Sequence, residues 1–343
     1  MLIDEFDYNL PSERIAKKPA RPRDSAKLMH VKGQSITDNY IYQLPQILKK
    51  DDVLVFNNTR VLPARIFGKV NKKKIEILIH SRIEENIWEV LAKPTKILSN
   101  NDIIIFSTTS YAKVIGRTKY NFPILEFFTD KNSFKDFLDS NGQVPIPPYL
   151  NRKFDNEDII DYQTVFASED GSVAAPTAGL HFTKKMIQKI KEMGVSIEFI
   201  TLHIGIGTFK SINEKDIRKH KMHDEYFNIN KDVAKRVNDA KLSGRRIIAV
   251  GTTALRALEA SSYDKGIVLP SSKFTNLFIM PGHKFNVVDL LLTNFHLPRS
   301  SLMVLIAAFA GIKTIKKSYQ YAIDNNYRFY SYGDACLIEK NNE

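Results

Sequence analysis

Between residues 65 and 128 the chain offers six short apolar runs, each closed by a turn, with no helical spacing between them. They are Arg65-Ile66-Phe67-Gly68-Lys69-Val70, Ile75-Glu76-Ile77-Leu78-Ile79-His80 and Trp88-Glu89-Val90-Leu91-Ala92, followed by Ile103-Ile104-Ile105-Phe106, Ala112-Lys113-Val114-Ile115-Gly116 and Phe122-Pro123-Ile124-Leu125-Glu126-Phe127-Phe128. Strands this closely spaced pair with their neighbours, and a set of six avoids exposed edges by closing on itself. The pattern predicts a small six-stranded β-barrel over residues 62–130.

The flanking sequence has another period. A helix over 184–193, capped by Thr183 and ended by Gly194, leads into a strand over 195–202. A helix over 231–243, between Asn230 and Gly244, leads into a strand over 246–250, and a further helix over 253–260 follows at once. Helices and strands in alternation mark an α/β layer. A buried strand over 52–56 belongs to the same layer. The expected fold is a mixed-sheet α/β domain, residues 1–61 and 131–343, carrying the barrel as an insert. The proline-rich stretch 144–149 reads as a fixed connector. The longest apolar run, 302–310, lies between Ser300 or Ser301 and Gly311; it is too short for a bilayer and reads as a buried helix.

With 343 residues and 43% apolar content, the chain can bury a large core. Its single cysteine, Cys336, excludes an internal disulfide framework or a cysteine-rich metal site and fits a reducing cytoplasm. Residues 1–10 carry three acids and no base, the reverse of a signal peptide. The net charge of +12 attracts polyanions, nucleic acid first; a generally lysine-rich composition explains it as well.

In an open α/β sheet, ligands sit beyond the carboxyl ends of the strands. Two such ends stand out. The strand over 195–202 runs into His203-Ile204-Gly205-Ile206-Gly207-Thr208-Phe209, where Gly205 and Gly207 allow close backbone approach to a ligand. The strand over 246–250 passes through Gly251-Thr252-Thr253 into a helix, whose first N–H groups suit an anion. Neither is a dinucleotide or P-loop fingerprint, and each also reads as an ordinary turn or cap. His181, His203 and His296 each end an apolar run, as proton carriers or as satisfied half-buried side chains. Glu225, in Met222-His223-Asp224-Glu225-Tyr226-Phe227, reads as a base or as part of a charged turn. Arg60 and Arg65 flank the entry to the barrel, suited to phosphate or to an interdomain salt bridge. No metal-ligand spacing occurs.

The longer motifs carry a resemblance. Tyr162-Gln163-Thr164-Val165-Phe166-Ala167, then Gly171-Ser172-Val173-Ala174-Ala175-Pro176-Thr177-Ala178-Gly179-Leu180-His181-Phe182-Thr183, are followed in order by 202–209, 222–227, 250–259 and 275–282. Leu292-Thr293-Asn294-Phe295-His296-Leu297-Pro298 and Tyr327-Arg328-Phe329-Tyr330-Ser331-Tyr332-Gly333-Asp334-Ala335 complete the series. Over residues 6–338 the chain resembles the S-adenosylmethionine:tRNA ribosyltransferase-isomerase family of queuosine biosynthesis. Asn71 to Lys74 stands where the family usually has a glycine-rich hairpin.

The resemblance implies an α/β domain with a six-stranded barrel. It implies transfer and isomerisation of the ribosyl part of S-adenosylmethionine onto 7-aminomethyl-7-deazaguanine at the tRNA wobble position, giving epoxyqueuosine with adenine and methionine released. S-adenosylmethionine is then a consumed substrate, with no cofactor or metal, no membrane and a monomeric cytoplasmic enzyme. Residues 175–183 would form a wall of the pocket. His181, His203, Glu225 and His296 are the expected proton carriers. Thr177, Gly179, Gly205, Gly207, Thr208, Phe209, Gly251, Thr252, Thr253 and Asn294 are expected to bind substrate, and Arg60 and Arg65 tRNA. Two other readings explain some features: an RNA methyltransferase using the same cofactor, and a non-catalytic RNA-binding protein.

Overall fold

The order of elements in the computed structural model, which describes residues 1–205, 212–263 and 266–341, divides into two compact units. The larger unit comprises residues 1–60, 163–169 and 175–343; the smaller comprises 61–162 and 170–174.

The larger unit is built on a nine-stranded sheet. Its spatial order is Ser271–Thr275, Glu225–Ile229, Ser196–Leu202, Val53–Asn57, Ile247–Val250, Leu290–Asn294, Ala335–Glu339, Lys27–Lys32 and Ser35–Tyr40. The four strands from Ser196–Leu202 to Leu290–Asn294 run parallel, while their neighbours on both sides run antiparallel to them. Val53–Asn57, Ile247–Val250 and Leu290–Asn294 are buried along their whole length. Such continuous apolar runs are what a sheet covered on both faces requires. Helix Lys184–Glu192 starts at Thr183, whose hydroxyl accepts the Met186 N–H at 3.1 Å, and Gly194 follows it at φ 82°. Asn230 caps Lys231–Leu242 in the same way at 2.8 Å, and Ser300 caps the buried helix Ser301–Ala310, which Gly311 stops at φ 87°. The expected α/β layer is therefore present. The two strands before residue 41 and the strand Ala335–Glu339 were not read from the sequence.

The smaller unit holds a closed barrel in the order Pro123–Phe128, Ile87–Lys93, Lys73–Arg82, Arg65–Val70, Ile103–Ile105 and Tyr111–Arg117. Alternate residues such as Ile75, Ile77 and Ile79 fill its interior. The Asn71-Lys72 pair forms the two-residue turn joining Val70 to Lys73, with φ of 49° and 67°. One boundary is corrected. Residues 131–162, assigned on sequence to the α/β domain, group with the barrel. Helix Phe134–Asn141 explains this: Phe134 stacks on Trp88 with ring centroids 4.8 Å apart, and Phe137 packs against Phe106 at 5.5 Å. Gly142 then passes so close to Pro63 that a Cβ would lie 1.8 Å from the Pro63 carbonyl oxygen.

Candidate active site

The parallel strands end together along one edge of the large sheet, and the antiparallel strands beginning at Glu225 and Ala335 start there too. Polar residues gather on this edge in two corners.

The first corner centres on Asn294, the last residue of its strand. Its Oδ1 accepts the Thr177 hydroxyl at 2.9 Å. Its Nδ2 donates toward the carbonyls of Tyr330 at 3.1 Å and Asp334 at 3.5 Å, and toward His181 Nε2 at 3.1 Å. Carbonyl oxygens only accept and a hydroxyl can give its proton, so this network orients the amide. Nε2 of His181 is then the acceptor, which leaves the ring proton on Nδ1. His181 is buried, and desolvation, with the nearby positive charges of Arg328 and Arg23, pushes its pKa down to about 3. At neutral pH it is an uncharged imidazole with its donor on Nδ1.

The segment that delivers Thr177 and His181 is the 3₁₀ turn Thr177–His181. A Cβ on Gly179 would lie 2.7 Å from the Phe166 ring and 3.0 Å from the Thr164 side chain, so only glycine lets the turn settle there. Below it Phe56 packs edge-on against both Phe166 and Phe182, each with centroids 4.8 Å away. The proline, glycine and histidine crowded before helix Lys184–Glu192 therefore shape the approach to Asn294. His296, two residues beyond Asn294, faces Thr293 Oγ1 at 3.0 Å through Nε2. Its carbonyl accepts the Tyr8 hydroxyl, its N–H donates to Tyr319 Oη at 2.9 Å, and burial lowers its pKa to about 3.

The second corner is ionic. Glu225 Oε1 accepts the Gly205 N–H at 3.0 Å, while Oε2 pairs with Arg256 Nη1; both side chains are buried. Arg256 Nε also donates to the Leu277 carbonyl at 3.2 Å. Between the corners, Asn57 Nδ2 donates to the Leu202 carbonyl at 2.9 Å and to Thr253 Oγ1 at 3.2 Å. His203 Nδ1 lies 2.8 Å from Thr59 Oγ1, and its ring stacks on Tyr226. Gly251 adopts φ 94° at the start of helix Thr252–Ser261.

The edge thus carries His181, Thr177, Gly179, Asn294, His203, Gly205, Glu225, Gly251, Thr252, Thr253 and His296. Gly207, Thr208 and Phe209 lie outside the described residues. Arg60 and Arg65 fall in different units. Arg60 Nη2 donates to the Ala167 carbonyl at 2.9 Å, and Arg65 Nε lies 3.1 Å from Glu76 Oε1. Arg65's ion pair is therefore local to the barrel unit rather than interdomain. The sequence reading missed Arg256, Asn57 and Thr59. An arginine inside the otherwise apolar run Ala254-Leu255-Arg256-Ala257-Leu258 was the available signal, since a buried charge needs a partner.

The family model for queuosine biosynthesis proteins matches residues 3–338. The chain belongs to this family. It is 42% identical over 98% of its length to the S-adenosylmethionine:tRNA ribosyltransferase-isomerase of Rhodospirillum rubrum, covering 98% of that protein. It is 45% identical to that of a Sulfurihydrogenibium species, again over 98% of this chain and 100% of the relative. The crystal structure of S-adenosylmethionine tRNA ribosyltransferase from Thermotoga maritima aligns with a TM-score of 0.54 at 33% identity, covering 97% of this chain and 99% of that one. The chain is a transferase of the ribosyltransferase-isomerase family. Among the described residues no helix is long and apolar enough to cross a membrane.

Proposed function

We propose that the chain transfers and isomerises the ribosyl part of S-adenosylmethionine onto 7-aminomethyl-7-deazaguanine at the wobble position of tRNA. Epoxyqueuosine-tRNA, adenine and methionine are the products, and S-adenosylmethionine is consumed as a substrate with no separate cofactor. The observation that carries this reading is the convergence of the family motifs on one sheet edge, where Asn294 orients His181.

The sulfonium acidifies the ribose 5′ C–H, so a base must take that proton; adenine leaves more readily when it receives a hydrogen bond; and the acceptor amine must be neutral to attack. His181, neutral and carrying its proton on Nδ1, suits hydrogen-bond donation rather than service as a pre-charged acid. Glu225 has both oxygens engaged, which favours a role in positioning Gly205 over proton transfer. His296 is equally engaged on its Nε2 and main-chain atoms. His203, half-buried with Nδ1 held by Thr59, is a candidate proton carrier at the same edge. Holding two large substrates in line supplies up to about 7–11 kcal/mol of barrier lowering in its own right.

The test is to supply S-adenosylmethionine labelled separately in methyl, ribose and adenine, together with precursor tRNA. Free adenine and methionine are expected one to one with ribose label on tRNA. Methyl label on tRNA, with S-adenosylhomocysteine accumulating, would establish a methyltransferase instead.

A further inference from the structure

One row of side chains crosses five adjacent strands on the outer wall of the barrel. The ladders set Phe128 opposite Tyr111, Tyr111 opposite Ile105, Ile105 opposite Lys69 and Lys69 opposite Lys74. Residues opposite one another in a ladder put their side chains on the same face, with Cβ atoms about 4.5–5.5 Å apart, so the register makes this row one unbroken stripe. Their strand neighbours Phe127, Ala112, Ile104, Val70 and Ile75 point inward and are buried, whereas every residue of the stripe is exposed.

The stability of the barrel explains neither end of the stripe. At one end the rings of Tyr111 and Phe128 stack with centroids 4.8 Å apart and planes 15° from parallel. They nevertheless remain 40% and 38% exposed, and Ile105 beside them 55%. Single exposed apolar residues are ordinary, but a contiguous set marks a surface that meets a partner. At the other end, Lys69 and Lys74 are like charges directly opposite each other, an arrangement that destabilises a ladder. Glu76, two residues along from Lys74, is taken by Arg65 at 3.1 Å, and among the described residues neither lysine forms an ion pair. Lys113, one row away, faces Glu126 across its ladder, so the uncompensated charge is that of Lys69 and Lys74.

We propose that this stripe docks an unpaired stretch of tRNA, with Lys69 and Lys74 on phosphates and a base against the Tyr111–Phe128 rings. An apolar partner would leave the two ammonium groups without counter-charge, whereas RNA supplies phosphates to one end and base faces to the other. The bases are unpaired ones, because stacking on a side chain needs bases already splayed from the helix. Five strands about 4.8 Å apart span about 19 Å, room for a stretch of backbone rather than a single phosphate. The proposal rests on the tRNA reading above and concerns a surface of the barrel unit alone.

Binding of precursor tRNA by the full chain across a salt series, with unfolding followed in parallel, tests it. Lys69→Gln with Lys74→Gln flattens the log–log salt slope by about 0.7 per phosphate lost, and raises the unfolding midpoint of the barrel because the repulsion is gone. Lys69→Arg with Lys74→Arg keeps the wild-type slope. Tyr111→Ala with Phe128→Ala raises Kd about 5- to 150-fold for each base that loses its platform, with the slope unchanged. Wild-type affinity and slope in both the glutamine and the alanine variants would overturn the surface. So would self-association of the wild-type chain that the alanine pair abolishes while tRNA affinity stays the same, since the stripe would then meet protein. Wild-type protein that binds no tRNA would overturn the tRNA reading along with it.

Discussion

The barrel unit and the sheet edge of the α/β unit use polar residues differently. In the barrel, hairpins join strands adjacent in sequence, and the pair Arg65–Glu76 is partly exposed, at 21% and 35%. At the sheet edge, residues far apart in the chain meet in burial, Asn57 with Thr253 and Glu225 with Arg256, and half-buried Thr177 meets buried Asn294. Local order tolerates the loss of one contact, whereas a buried polar network leaves unpaired groups when any member is removed. Substitutions at the edge should therefore have large effects on turnover or folding, and substitutions in the barrel small ones.

The largest effect is expected at His181. Replacement by Ala should lower single-turnover rate about 10²–10⁴-fold, the range for a positioned hydrogen-bonding or proton-transferring group, with the fold retained by circular dichroism. Turnover close to wild type would reduce the Asn294 corner to a structural one.

Next is the ionic corner. Arg256→Met leaves Glu225 buried without its counter-charge and should destabilise the α/β unit by about 3–5 kcal/mol in denaturant unfolding. Arg65→Met in the barrel should cost about 0–1 kcal/mol, because its partner stays solvated. Equal losses at the two positions would break the comparison.

The same contrast explains what the sequence could reveal. The barrel strands were legible because hairpin pairing is local: period-2 runs such as Ile75, Ile77 and Ile79 face one interior and short turns join them. The helix caps Thr183 and Asn230 were legible for the same reason, and Ser300 as one of two adjacent serines. The site was legible only as candidates. His181 and Asn294 are 113 residues apart, and nothing in either segment states that one orients the other. Glu225 read as a base because its partner, Arg256, lies on another element 31 residues away. The strand Lys27–Lys32 escaped notice although it pairs locally with Ser35–Tyr40, because that partner's polar sequence carries little strand signal; its other, parallel partner is Ala335–Glu339, at the far end of the chain.

A smaller effect should appear in acid. His181 and His296 each fall from the ordinary 6.5 to about 3 on burial, so the unfolded chain binds more protons than the folded one between those values. Their stabilisation is complete above pH 6.5 and is lost as pH falls from there toward 3, at up to about 1.4 kcal/mol per pH unit for each histidine. Unfolding followed from pH 7 to pH 5 should show the α/β unit weakening. A flat profile would mean that neither imidazole is held neutral.

The smallest change is expected to be a gain, at the barrel turn. Asn71 and Lys72 connect Val70 to Lys73 with both residues in the left-handed region, as a two-residue hairpin with type I′ geometry requires. Asparagine tolerates that conformation, but the Cβ of Lys72 meets its own backbone there at a cost of about 1–2 kcal/mol. Glycine removes this clash while adding freedom to the unfolded chain, which takes back about 0.5–1 kcal/mol. Lys72→Gly should therefore stabilise the barrel unit by about 0.5–1 kcal/mol, seen as a raised unfolding midpoint. Lys72→Pro should do the reverse, because its ring fixes φ near −65° and the turn cannot form. The pair isolates local geometry from long-range contact: if Lys72→Gly lowers stability, the hairpin does not hold this turn in solution, and the barrel owes its order to something other than its short connections.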